Sequence, residues 1–432
     1  MVGASDSHLM NASPARLHTG FWSVALAFLI AMAFSTVPTP LYPLYGFSPF
    51  IVTVVFATYA VGVVISLLLA GHISDRVGRK TILIPALALE LIAAALFLTS
   101  SSLPVLLAAR FVSGLGVGMI TATATAHLAE LHAAHRPGAS RQRFEVVSTA
   151  ANSGGLGLGT LVAGLLAQFV YAPLRTPYLV FAGLLALSIV AVAFTPETVT
   201  RTPFTYRPQR IGAHGDRTVY FAAAASALAS FAVFGVFTSL APGFVAGTLH
   251  HSSRALAGAI VFAVFGAAAA AQALTGSLSP AAKTRLGLLA QASGIVILVT
   301  GMHTANLPVF LIGGVLAGIG AGVLFKAALG SVAASAAPAE RGEALAGLFL
   351  IAYIGLGVPA IGLGVATQSF PAVTVMTWFA GVLLALLAGV AVLDRRIQTA
   401  ATLTTAATPS PQTPAEPQAP VAPVKDLARS AR

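Results

Sequence analysis

The chain has 432 residues, of which 57% are hydrophobic and only 8% are charged, and it contains no cysteine. An average soluble domain carries roughly 25% charged residues; a water-soluble fold of this length could not cover its surface with so few, and disulfides, thiol catalysis and thiolate metal sites are excluded outright. The formal net charge of +11 sits in short links between apolar stretches, so it reads as a membrane-orientation signal and not as a nucleic-acid-binding surface.

Apolar runs near the length of about 20 residues that crosses a bilayer fall at 20–42, 49–70, 81–99, 103–131, 144–170, 177–195, 218–241, 255–276, 286–303, 307–334, 344–367 and 371–393. The first is too long for a signal-peptide core and lacks a small-residue cleavage site. Twelve spans predict an all-α membrane protein of two six-helix bundles. Alternating the links between two faces puts Arg175 and Arg254 on one, leaves Arg110 and Lys326 inside spans, and gathers the other 19 of the 23 basic residues on the second face. That asymmetry predicts cytoplasmic termini. The organisation expected is a cytoplasmic N-terminal segment (1–19), a first bundle (20–195), a Pro- and Arg-rich cytoplasmic linker (196–217), a second bundle (218–395) and an Ala-, Thr-, Pro- and Gln-rich tail (396–432) that lacks the large apolar residues needed for a core and is expected to be disordered.

The two sets of six resemble each other. Leu103-Pro104-Val105 opens the fourth span and Leu307-Pro308-Val309 the tenth, each followed by a glycine ladder: Gly114, Gly116 and Gly118, then Gly318, Gly320 and Gly322. Gly155-Leu156-Gly157 matches Gly355-Leu356-Gly357, and the charged link Gly71–Lys80 has a degraded copy from Gly276 to Arg285. A duplicated six-helix unit places a binding site between the halves near the midplane.

Few groups within the spans carry chemistry. Glu90 lies near the middle of the third span and is either a proton carrier or the donor or acceptor of a structural hydrogen bond to a neighbouring helix. Arg110, two turns into the fourth span, must meet water or an anionic partner, or snorkel to the interface; rise per residue puts it within about a turn of Glu90 in depth. Lys326 either attracts an anionic substrate or snorkels. His127 and Glu130 are one turn apart but lack the further ligands of a metal site, so no metal and no cofactor are expected. Pro38, Pro40 and Pro43 break the outer end of the first helix, ending it or shaping an external gate.

The link Gly71–Lys80, G-H-I-S-D-R-V-G-R-K, resembles the signature loop between the second and third helices of the major facilitator superfamily; Arg110 to Gly118 resembles its fourth-helix motif, and Gly155 to Gly164 its antiporter motif. The resemblance implies that Gly71, Asp75, Arg76, Gly78, Arg79 and Lys80 form a conformational latch, with Asp75 docking near the start of the eleventh helix around Glu343 and the basic residues meeting Glu130; the alternative is a solvated charge that only sets topology. Pro196-Glu197-Thr198 resembles a short acidic motif of the family, with Arg143 as a candidate partner. The arginine matching Arg110 is associated in the family with proton coupling, and the first, fourth, seventh and tenth helices line its cavity, within reach of Lys326. In the fifth span Gly155, Gly159, Thr160 and Gly164 also serve plain close packing; Thr160 stands where the family has proline and Ala163 where it has glycine.

The function implied is proton-coupled secondary transport across the inner or plasma membrane, most like the twelve-helix efflux group: export of small organic compounds by a monomer with protons and the lipid bilayer as its other partners. Uptake or exchange of an organic anion read by Arg110 and Lys326 is the alternative. A membrane enzyme would need converging His, Asp or Glu, and a receptor would carry a sizeable soluble domain.

Overall fold

The computed structural model describes residues 13–70, 73–140, 142–201, 203, 206, 212–337 and 340–407. Twelve helices long and apolar enough to cross a membrane follow one another: α1 Pro14–Thr36, α2 Pro49–Ala70, α3 Arg79–Thr99, α4 Leu103–His135, α5 Gln142–Phe169, α6 Thr176–Ala193, α7 Arg217–Ser239, α8 Arg254–Leu274, α9 Pro280–His303, α10 Leu307–Ser335, α11 Arg341–Ala366 and α12 Ala372–Ala407. No strand occurs among the described residues.

Local sequence sets the helix starts. Proline occupies the first turn of α1, α4, α6, α9 and α10, where its missing N–H costs nothing. Asp216 accepts from the Thr218 and Val219 amides at the head of α7, and Ser253, Ser279 and Asn306 cap α8, α9 and α10 in the same way. Hydropathy measures the bilayer crossing and not the helix, so the helices overrun the expected spans. α1 begins at Pro14, inside the segment read as an N-terminal extension, and passes through Val37 and Pro38 into a 3₁₀ turn, Thr39–Tyr45, where Pro40 and Pro43 sit. α9 begins at Pro280 and carries Lys283 and Arg285. α12 continues to Ala407, past the boundary at 396; residues 408–432 of the expected tail lie outside the described residues.

The packing repeats with the sequence. In the first half the principal pairs are α2·α4, α3·α4, α1·α4, α3·α6, α1·α5 and α1·α6; adding six to every label gives the principal pairs of the second half. The halves meet along α5·α8 and α2·α11, which exchange under the same operation. The face carrying both ends of the helical region is called the basic face here, the opposite one the far face. The closest cross-half approaches lie from the midplane toward the far face. A methyl on Gly164 would meet the Gly258 Cα at 3.2 Å, so only glycine permits the α5–α8 spacing there, and Thr160 Oγ1 donates to the Gly258 carbonyl at 3.1 Å.

Candidate functional site

Two polar constellations stand out from the apolar helices. The first is at the basic face, where the chain turns from α2 into α3. A single helical turn, Ser74–Val77, leads to Gly78 at φ 107°, a conformation that disfavours any side chain; a Cβ there would also meet Glu197 Oε2 at 2.8 Å. Arg79 is buried and makes four side-chain hydrogen bonds to three residues: its Nη1 donates to Ser74 Oγ at 2.8 Å and to Asp75 Oδ1, and its Nε and Nη2 grip both oxygens of Glu130 on α4 at 3.1 and 2.5 Å. Thr198 Oγ1 adds a bond to the same carboxylate, 2.5 Å from Oε2.

Around this hub α3 and α6 cap each other. Glu197, just beyond α6, accepts from the Arg79 and Lys80 amides at 2.8 and 3.1 Å, and Lys80 Nζ donates to the Ala193 and Thr195 carbonyls at 2.7 and 2.9 Å. An anion thus sits at one helix N-terminus and a cation at the neighbouring C-terminus, the favourable arrangement for both dipoles. Arg76 is exposed on the turn, and Gly71 lies outside the described residues. The Arg79–Glu130 contact is the one expected, whereas Lys80, expected at Glu130 too, turns to the carbonyls at the end of α6, and two further expected pairs are replaced. Arg143 stacks over Trp22 at 5.8 Å and leaves Glu197 to the helix cap. Glu343, read as the docking point of Asp75, receives His214 Nε2 at 3.1 Å, while His214 Nδ1 faces Glu340 at 3.3 Å; Asp75, largely exposed, stays on Arg79. In this conformation the interdomain linker, and not the α2–α3 turn, is tied to the start of α11.

The second constellation is at the midplane. Glu90 is fully buried between α3 and α4: Ser113 Oγ donates to its Oε2 at 3.0 Å, its Oε1 lacks a partner, and a methyl on Gly116 would sit 2.6 Å from that oxygen. One turn before Ser113, Arg110 sends Nη1 to the Ser35 carbonyl of α1 at 2.6 Å, keeps a buried Nε without a partner, and lies over the Tyr59 ring at 4.3 Å. It faces a central cavity of about 80 Å³ at the junction of the halves. Every wall of this cavity comes from α1, α2, α4, α5, α7, α8, α10 or α11. Eight aromatic side chains, among them Phe56, Tyr59, Phe231, Phe265, Phe325 and Tyr353, enclose a smaller polar set of Ser35, Thr36, Thr121, Asn152, Ser153, Thr238 and Gln272. Arg110 is the one ionisable lining group other than tyrosine.

Sequence reasoning missed most of this polar set. Asn152 and Ser153 reach the cavity from a π-helical turn, Ala150–Gly154, in the middle of α5; the Asn-Ser-Gly-Gly run, poor in helix formers, is the signal that marks it. Gln272 crosses from α8 to Ser153 at 3.4 Å. Lys326, by contrast, is not a lining residue: its Nζ donates to the Gln272 carbonyl in the last turn of α8 at 2.6 Å, a C-terminal cap within the second half. Gly155 and Gly159 pack on α1, against Met32 and Ala33, while Thr160 and Gly164 pack on α8. His127 bonds the Pro196 carbonyl at 3.0 Å, and no group of three or more His, Asp or Glu is placed to hold a metal among the described residues.

Two pseudo-symmetric sets of six spanning helices around a cavity at their junction define a polytopic membrane transporter, not an enzyme. The sequence profile of the Major Facilitator Superfamily matches residues 22–302, and the chain belongs to that family. Its curated relatives align only in part. The chain is 34% identical to the arabinose-proton symporter of Bacillus subtilis over 20% of its own length and 19% of that protein. It is 38% identical to the multidrug resistance protein MdtL of Escherichia coli over 15% of its length and 17% of that one. The alignments thus span less than a fifth of either relative. Among solved structures, the human organic anion transporter MFSD10 superposes with a TM-score of 0.65 at 18% identity, covering 87% of this chain and 99% of that one; at that identity the likeness is one of fold.

Proposed function

We propose that this small-molecule transporter is proton-coupled and works as a monomer in the inner or plasma membrane, with both termini cytoplasmic. It exports amphiphilic or apolar organic compounds through the central cavity by alternating access. The observation that carries the reading is the buried Glu90 bonded to Ser113, one turn of α4 from the cavity-facing Arg110. Glu90 takes and releases the coupling proton, and α4 passes the change of charge to Arg110, which lies within its electrostatic reach. The aromatic walls supply apolar contact, and Asn152, Ser153 and Gln272 fix orientation. The present 80 Å³ holds only a few waters, so substrate enters when the halves part. The Asp75–Arg79–Glu130 hub, with Arg76, Gly78 and Lys80, serves as the latch on the cytoplasmic side; Gly155, Gly159, Thr160 and Gly164 let α5 slide on α1 and α8. The excess of arginines on the basic face supports the orientation, and the antiporter-like run in α5 and the likeness to a multidrug resistance protein support export.

One observation favours a second reading. Among the described residues Arg110 has no carboxylate beside it in the cavity lining, so an anionic substrate would supply the missing counter-charge, a reading in keeping with the fold likeness to the organic anion transporter MFSD10. The two readings differ in sign. An anion and ionised Glu90 compete to neutralise Arg110, so protonating Glu90 favours the anion and the two move together; a cationic compound would displace the proton. Internal pH in proteoliposomes challenged with neutral, cationic and anionic compounds separates them: alkalinisation or acidification with substrate tells antiport from symport by its sign, and substrate movement without proton flux overturns the coupling.

A further inference from the structure

A second cavity lies at the far face. At about 470 Å³ it is several times larger than the central one, and the two share no residue. Its walls include Leu298 and Met302 of α9 and Val375 and Met376 of α12, helices that contribute nothing to the central cavity. It therefore lies to the side of the central path. The floor is buried and soft, built from Phe237, Phe244, Met302, Phe310 and Met376, while Pro43, Gly243 and Phe370 are exposed at the mouth. The first half closes one side with Tyr42, Phe47 and Val52.

We infer that this cavity is a binding site for an uncharged aromatic or apolar organic molecule of drug-like size, distinct from the transport site. Two observations carry the inference. The volume falls in the range of ligand pockets, roughly 300–1,000 Å³. Among the described residues the lining contains no Asp, Glu, Lys, Arg or His, so a charged ligand would be desolvated without a counter-ion.

The walls come from both halves, so the cavity keeps this shape only while their far ends stay in this arrangement. A ligand bound here holds that arrangement and slows its exchange with the alternative. This consequence rests on the alternating-access reading; the binding itself does not.

The test uses the full chain in lipid nanodiscs and 3-trifluoromethyl-3-phenyldiazirine, an uncharged photoactivatable arene, with adducts mapped by mass spectrometry. Expected adducts fall on the buried Phe244, Met302 and Met376. Gly243 lines the cavity at its exposed edge, with nothing within 4 Å of an added Cβ, so Gly243→Phe places a bulky ring at the mouth and is expected to lower those adducts by about tenfold, leaving adducts on exposed Leu274 and Val382 unchanged. The parent compound, without the diazirine, protects the same residues and raises the thermal midpoint of the wild type but not of Gly243→Phe. Adducts at Phe244, Met302 and Met376 that survive Gly243→Phe at wild-type level, or that never exceed zero, overturn the inference. Labelling that persists in a Glu90→Gln variant lacking proton flux would show the site standing even if the coupling reading fails.

Discussion

Glu90 of α3 and Gln291 of α9 occupy matching places in the two halves. Both are fully buried, and each packs on the middle glycine of the ladder in the next helix, Gly116 in α4 and Gly320 in α10. Gln291 donates Nε2 to the Ala229 carbonyl of α7 at 2.8 Å; Glu90 accepts from Ser113 of α4 at 3.0 Å. The second half shows that the fold is content with a neutral amide of nearly the same shape at this step. Packing therefore does not call for a carboxylate in the first half, which is the position that the proposed proton coupling assigns to Glu90.

The sharpest way to break this comparison is to make the halves alike. Glu90→Gln is expected to abolish substrate-linked proton flux in proteoliposomes, a loss of two orders of magnitude or more on the scale of removing a required proton carrier, while the thermal midpoint stays near that of the wild type. Loss of folding together with flux would refute the packing argument. A similar contrast holds at the basic face. The described part of the first turn, Ser74–Lys80, is organised around buried Arg79, whereas in its copy Lys283 donates to the Gly276 carbonyl at 3.2 Å and Arg285 to Gln398 at 2.7 Å, both exposed. Arg79→Ala should cost about 2–4 kcal/mol, below the range for a fully buried pair because Asp75 and Glu130 keep contact with solvent. Arg285→Ala should cost under about 1 kcal/mol. Thermal unfolding in one detergent measures both, and equal losses would deny the asymmetry.

Smaller effects sharpen the picture. Gly258→Leu pushes side-chain atoms against the α5 backbone at Thr160 and should cost roughly 1–3 kcal/mol as overpacking, with a larger drop in transport rate than in stability if α5 and α8 slide on each other. Gln291→Leu, which leaves the Ala229 carbonyl without its side-chain donor, should cost about 1–2 kcal/mol without altering proton stoichiometry. Lys326→Met, last in the series, should cost about 1 kcal/mol for the lost cap and leave the preference between neutral and anionic compounds unchanged; a selective loss of anion transport would return Lys326 to the cavity.

The sequence makes several of these features legible and hides others for a definable reason. The Arg79–Glu130 contact could be expected because an arginine in a tight charged turn and an acid at a helix end on the same face have few other partners. That Lys326 caps α8, and that Glu197 caps α3 and not Arg143, could not be read, because both turn on how a helix is rotated about its axis. Lipid-facing and core-facing positions are equally apolar in this chain: Leu274 and Val382 are 81% and 72% exposed on the helix surface, beside fully buried leucines. With no polar face to set the azimuth, periodicity carries little information.

What the amino-acid sequence determines by itself is therefore the set of terms that add up along the chain: twelve apolar crossings, the duplication and the turn that marks the family. The crossings and the turn depend on residues within about 20 positions of one another, where hydropathy and loop charge act locally, and the duplication is a likeness of two such local patterns. The tertiary structure alone decides which side chains meet: the polar set that joins Arg110 in the central cavity, the neutral counterpart of Glu90 across the repeat, and the uncharged cavity at the far face. Those depend on helix rotation and on how the two halves dock, which close packing between small residues settles and local composition does not.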